Sequence, residues 1–127
     1  MKYLLDTHAS IWYLEDSAEL SKESAAAIDN NDNEVCVCAV SLWEIAIKMN
    51  LGKLNLKLSL SEFLDCVHTR NFRIINIEDA QMLLLNALPY IHKDPFDRLI
   101  VATALVENLT IITADQNIQQ YSAPCIW

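Results

Sequence analysis

Glycine occurs once in 127 residues, at Gly52. A P-loop and a Gly-rich dinucleotide turn each need several glycines so that backbone can close on phosphate. Nucleotide-dependent chemistry of those kinds is therefore excluded. Long apolar runs are missing too, and none reaches the roughly 18 residues that span a bilayer. The opening segment, MKYLLDTHASIWYLED, carries one lysine and a short apolar stretch broken by Asp6 and His8. An export signal needs a longer uninterrupted stretch and a small-residue cleavage site, so the expectation is a cytoplasmic protein. Basic side chains are scarce: nine Lys and Arg stand against 17 Asp and Glu, for a net charge of −8. Taken alone, that balance argues against a polyanionic partner, because phosphate contacts draw on Lys and Arg. There is no internal repeat, low-complexity tract or linker. The length suits one domain, residues 1–127, with a real core, and is too short for two.

The four cysteines, Cys36, Cys38, Cys66 and Cys125, are even in number. In a reducing compartment they are read as thiols rather than two disulfides. Cys36 and Cys38 stand two apart in EVCVCAV and point to one face of a strand as small apolar residues. His8, His68 and His92 make no zinc spacing with them.

Strands and helices alternate along the chain. KYLLD reads as a buried strand and THASIWYLE as a helix, with Thr7 its candidate N-cap. Ser21 caps a helix through SKESAAAIDNN. EVCVCAV, β-branched and uncharged after Glu34, reads as a parallel buried strand. SLWEIAIKMNLGKL is a helix from Ser41 to near Gly52, a suitable C′ residue. SLSEFLDCVHTRN follows with Ser59 or Ser61 as cap. FRIINI is a third strand, and EDAQMLLLNAL a helix stopped by Pro89. DPFDRLIVATALVEN starts with Asp94 as N-cap and Pro95 at the first helical position. LTIIT is a strand, Asp115 to Gln120 a turn or short helix, and APCIW an edge strand. This alternation predicts an α/β fold: a parallel sheet covered on both faces.

Four carboxylates then stand out: Asp6, Glu44, Asp97 and Asp115. Three follow hydrophobic strands closely, and Asp97 lies in a helix's first turn. Open α/β sheets bind ligands beyond the carboxyl ends of their strands. Each of the three later acids has a local explanation. Ser41 and Glu44 have capping-box spacing, as do Asp94 and Asp97. Glu44 can pair with Lys48 one turn on, and Asp115 can cap the last helix. Asp6 has no such explanation. It ends an apolar strand, where a partly buried carboxylate needs a partner or loses its charge, and no Lys or Arg is near in sequence. A shared hard cation, magnesium or manganese, would serve all four acids. Such an ion activates water and stabilises charge on a phosphoryl oxygen, which points to phosphodiester hydrolysis. Setting the four acids aside halves the net charge, so the objection to an RNA substrate weakens.

These segments resemble the PIN-domain ribonucleases, and among them the VapC-type toxins of bacterial toxin–antitoxin pairs. The resemblance runs through YLLDTHASIW, SLWEIAIKMNLGKL, HKDPFDRLIVATA, LTIITADQNIQQY and the terminal IW. LLDT and TAD are weak alone, but SLWEIAIK, GKL and DPFDRLIVATA in combination are specific. The resemblance implies a PIN-like three-layer α/β/α sandwich with a mainly parallel sheet of four to five strands. It implies a magnesium-dependent endoribonuclease whose metal and catalytic residues are Asp6, Glu44, Asp97 and Asp115, with Asp6 and Asp97 the most direct ligands. Thr113 is a second-rank site residue. It also implies a homodimer and a small antitoxin partner that covers the active-site groove.

Other residues divide between the site and the scaffold. Asp94 is read as a helix cap. Lys48, Lys53, Lys57 and Arg98 either guide an RNA backbone or form a solvated surface. Trp12 and Trp43 are assigned to the core or a dimer interface rather than to base stacking, and His8 is not needed as a general base. Met82, Leu83, Leu84 and Leu85 are assigned to the core. Two rivals remain. An aspartate-based phosphatase needs two aspartates separated by one residue, and here Thr7 and His8 follow Asp6. A non-catalytic binding module with the same fold would bind no magnesium or manganese.

Overall fold

In the computed structural model, which describes residues 1–127, five parallel strands form one sheet in the order β3-β2-β1-β4-β5. The strands are β1 (Lys2–Leu5), β2 (Glu34–Cys38), β3 (Arg73–Ile75), β4 (Thr110–Ile112) and β5 (Cys125–Ile126). The helices are α1 (Thr7–Leu14), α2 (Lys22–Asp29), α3 (Ala39–Asn50), α4 (Leu60–Thr69), α5 (Asp79–Ala87), α6 (Pro95–Glu107) and α7 (Gln116–Gln119). The expected parallel sheet covered on both faces is what the chain forms. β1 is central: Leu5 pairs with Val37 on one side and Ile112 on the other.

Strand alternation sorts side chains into two cores. Leu4, Cys36, Cys38 and Ile111 pack with Leu99, Ile100 and Val101 of α6. Tyr3, Leu5, Val35, Val37 and Ile112 pack with Ala9 and Ile11 of α1, Ile28 of α2, and Phe63 and Val67 of α4. A sheet buried on both faces explains why the strands read as nearly continuous apolar runs. Cys36 and Cys38 share a face as expected, and all four cysteines are free thiols. Burial pushes the Cys38 thiol up to about 12, so it is a packing group rather than a nucleophile.

Several local readings hold. Ser21 and Ser59 cap α2 and α4. Asp94 caps α6 through Phe96 N–H and Asp97 N–H, with Pro95 at the first position. Gly52 has φ 69°, and Gly52 N–H and Lys53 N–H donate to the Met49 and Lys48 carbonyls. That is a Schellman closure of α3, the one place where the chain's single glycine is needed.

Others are corrected. The cap of α1 is Asp6 rather than Thr7: it accepts from Ala9 N–H at 2.7 Å, so Asp6 too has a local helix-cap explanation, contrary to the sequence reading. Helix α3 begins at Ala39, two residues before Ser41, because β2 ends at Cys38. Glu44 is therefore in the second turn and makes no capping box with Ser41. Met82 and Leu83 are exposed rather than core, and Trp43 is exposed too, which removes the core half of its core-or-dimer-interface assignment. Leu84 and Leu85 pack partly against the α6 side. No helix is long and apolar enough to cross a membrane.

Candidate active site

The four acids come from four segments at the carboxyl edge of the sheet. Asp6 follows β1 directly. Its side chain is 5% exposed, and both oxygens are used: Oδ1 accepts from Ala9 N–H and Oδ2 from the Thr113 hydroxyl. Thr113, the residue after β4, is fully buried, and its Oγ1 also accepts from Asp115 N–H at 3.0 Å. One hydroxyl thus ties Asp6 to the turn that carries Asp115. Asp115 in turn caps α7, accepting from Asn117 N–H and Ile118 N–H.

Glu44 projects from α3 and is 3% exposed. Its Oε1 accepts from the Thr7 hydroxyl at 2.6 Å, and its Oε2 pairs with Lys48 Nζ at 2.5 Å. The i,i+4 pairing with Lys48 is therefore present, and it leaves Glu44 buried between a hydroxyl and a cation. Thr7 Oγ1 also lies 3.2 Å from Ser41 Oγ. Thr7 joins α1 to α3, a role that its position beside Asp6 in the sequence did not reveal.

Asp97 lies in the first turn of α6, where His92 Nε2 stands 3.2 Å from its Oδ2. His92 Nδ1 is 2.8 Å from the Tyr121 hydroxyl, and Arg98 donates to the same hydroxyl at 3.2 Å. With Tyr121 donating to Nδ1, Nε2 carries the proton and donates to Asp97, a tautomer assigned from the hydrogen-bond network. Arg98 also donates to the Leu88 and Pro89 carbonyls and stacks over Tyr90 at 4.7 Å. Arg98 is thus a buried strut rather than a guide for RNA. His92 and Tyr121 went unnoticed in the sequence because the contact between them spans 29 residues.

The electrostatics bind these groups together. Burial, above all, raises the Asp6 carboxyl, and Asp115 adds to the rise, while Thr113 and Ala9 oppose it. Burial likewise pushes Asp97 up to about 6, with Asp94 next and Asp115 and Glu44 contributing, against the lowering contact from His92. Asp97 therefore feels three neighbouring carboxylates. Asp94 is both helix cap and part of this negative field. The one cation in contact, Lys48, is held by Glu44, and it feels Asp94 and Asp97 as well.

This donor set fits a hard divalent cation. It is all oxygen and its charge is under-compensated, so a cation there would offset the burial and mutual repulsion that raise Asp6 and Asp97. No three His, Cys, Asp or Glu side chains close a cage by themselves. Magnesium commonly takes one or two carboxylates and keeps its waters. Beside the acids lies a cleft of about 210 Å³ lined by Asp6, His8, Trp12, Ala114 and Asp115. Across the edge, Trp43 meets Phe96 edge-on at 5.8 Å.

The PIN domain family model matches residues 3–124. Ribonuclease VapC22 of Mycobacterium tuberculosis is 29% identical over 122 residues, 95% of this chain and 92% of that protein. VapBC2 from Rickettsia felis, solved bound to a DNA fragment from its promoter, superposes with a TM-score of 0.75 at 18% identity, covering 99% of this chain and 98% of that one. FitAcB from Neisseria gonorrhoeae superposes with a TM-score of 0.68 at 17% identity, covering 98% and 96%.

Proposed function

Given that this chain belongs to the PIN domain family, we propose that it is a magnesium-dependent endoribonuclease acting in the cytoplasm as the toxin of a toxin–antitoxin pair. The observation that carries the chemistry is the carboxylate edge. Asp6 is a buried acid and Asp97 a half-buried one; the ionisation of both is opposed by burial and by other acids, on a sheet edge where α/β folds bind ligands. The relatives named as ribonuclease and as VapBC complexes support the biological role and a protein antitoxin as partner. The family resemblance also supports a homodimer.

Asp6, Glu44, Asp97 and Asp115 are the residues that would hold magnesium, or manganese in its place. The chemistry such an ion supplies is activation of water at neutral pH and stabilisation of charge on a phosphoryl oxygen. The protein's own contribution is orientation. Thr113 and Ala9 N–H fix both oxygens of Asp6, Thr7 and Lys48 fix those of Glu44, and His92 fixes one oxygen of Asp97. Carboxylates held this way cost little reorganisation when an RNA phosphodiester is placed among them.

The test is RNA cleavage by rigorously purified wild type and Asp97→Asn, with magnesium, with manganese and with EDTA. Cleavage by wild type that needs the metal and is lost in Asp97→Asn is the expected result. Metal-independent cleavage, or equal cleavage by both proteins, would refute it. A metal titration that detects no binding would instead favour a non-catalytic binding module.

A further inference from the structure

On the reading that this edge cleaves RNA, we propose that the cleft beside Asp6 and Asp115 is a nucleobase subsite. An unpaired base next to the bond being cut lies there against Trp12 and His8. At about 210 Å³ the cleft is smaller than the roughly 300–1,000 Å³ of pockets that take a whole small-molecule ligand. It offers room for one flat ring system.

Its walls suit such a ring. Trp12 is partly buried against the core and braced edge-on by Trp127, 5.7 Å between centroids at 64°. A braced indole that borders an open cleft has already lost most of its rotamer freedom, so stacking on it costs little further ordering. His8, one helical turn away on α1, is exposed and lies 5.5 Å from the Trp12 ring at 40°. Asp6 and Asp115 line the same cleft, so a base seated there is adjacent to the acids that would act on its backbone.

The strand has somewhere to go. His8 and Trp12 also line a second cleft of about 370 Å³, together with Glu15, Asp16, Asn55 and Lys57. The loop carrying Lys57 is fixed by Glu15, which accepts from Lys57 N–H at 2.8 Å and Leu58 N–H at 3.1 Å. Glu15 is thereby engaged with backbone, and Lys57 is the cation in this cleft that can meet the next phosphate of an RNA chain crossing the His8–Trp12 pair. Base–aromatic stacking is sequence-tolerant and requires an unpaired nucleotide.

The experiment uses a pool of short random-sequence single-stranded RNA and sequences the cut ends. Wild type, Trp12→Ala, Trp12→Phe and His8→Ala are compared. Trp12→Ala is expected to flatten base preference at one nucleotide flanking the cut and raise KM about 5- to 100-fold, with kcat nearly unchanged. Trp12→Phe should keep the preference. His8→Ala, a change at an exposed residue, should weaken it without affecting the fold. Unaltered preference and KM in folded Trp12→Ala and His8→Ala would overturn the subsite. Binding of the same pool to Asp97→Asn protein, with and without Trp12→Ala, judges the subsite separately. If wild type cuts no RNA, the cleavage reading fails, while weaker binding by the doubly substituted protein upholds the subsite and equal binding sinks it.

Discussion

Replacing Asp97 with Asn should make the metal-free protein more stable while abolishing its activity. Asp97 is lifted from its ordinary 3.8 to about 6, chiefly by burial and then by Asp94. That difference corresponds to about 3 kcal/mol against the ionised form at neutral pH. Solvent reaches the carboxylate in part, and the His92 contact weakens in the variant, so the gain expected at pH 7.5 is about 1–2 kcal/mol. The sign follows from linkage. An acid with a raised folded pKa keeps its proton longer in the folded state. Its contribution is complete below about pH 4 and is lost as pH rises through about 6. Urea unfolding in EDTA should therefore show Asp97→Asn and wild type nearly equal at pH 4, with the variant ahead at pH 7.5. Adding magnesium should reverse the order, because a ligand at 100 times its Kd contributes about 2.7 kcal/mol to the protein that binds it. A variant less stable than wild type at pH 7.5 in EDTA, or a gap that does not change with pH, would refute the reasoning.

Thr113→Val should cost about 1–3 kcal/mol in urea unfolding, because a buried Asp6 oxygen and Asp115 N–H both lose their partner. Thr113→Ser should recover most of that stability, together with metal-dependent cleavage. Tyr121→Phe should lower kcat several-fold with KM nearly unchanged, since His92 loses the hydroxyl that sets its tautomer and so holds Asp97 less firmly. A kcat equal to wild type would remove Tyr121 from the positioning chain. Phe63→Ala, at a fully buried ring on the α4 side, should destabilise by about 3–5 kcal/mol in the same unfolding assay and leave the metal affinity of the folded protein unchanged.

Strand and helix order was legible because each element carries its own local signal. β1, β2 and β4 are short apolar runs, and Ser21, Ser59 and Asp94–Pro95 mark helix starts by chemistry that acts within three residues. The placement of the four acids along one edge was legible for a related reason, since Asp6, Glu44 and Asp115 follow strands and Asp97 lies in the first turn of the helix that Asp94 and Pro95 mark. What stayed hidden depends on distance in three dimensions. Thr7 meets Glu44 across 37 residues and His92 meets Tyr121 across 29, and no local pattern encodes either contact. The start of α3 was misplaced because Ala39 and Val40 extend an apolar run equally well as strand or helix. Met82 and Leu83 were assigned to the core because hydrophobicity alone does not say which side of a helix is covered; on α5 the covered side carries Gln81, which is 2% exposed.

The hydroxyl that joins β4 to β1 has a consequence in time. Asp6 and Thr113 are 107 residues apart, yet they lie on neighbouring strands in the middle of the sheet. During synthesis the first carboxylate emerges early and its partner strand emerges near the end. Non-local pairings of this kind form late, after a large loop has closed. A growing chain that has not yet delivered β4 holds Asp6 without Thr113 or Asp115 beside it. The acid edge, and with it the proposed activity, is thus assembled only once most of the molecule has been made.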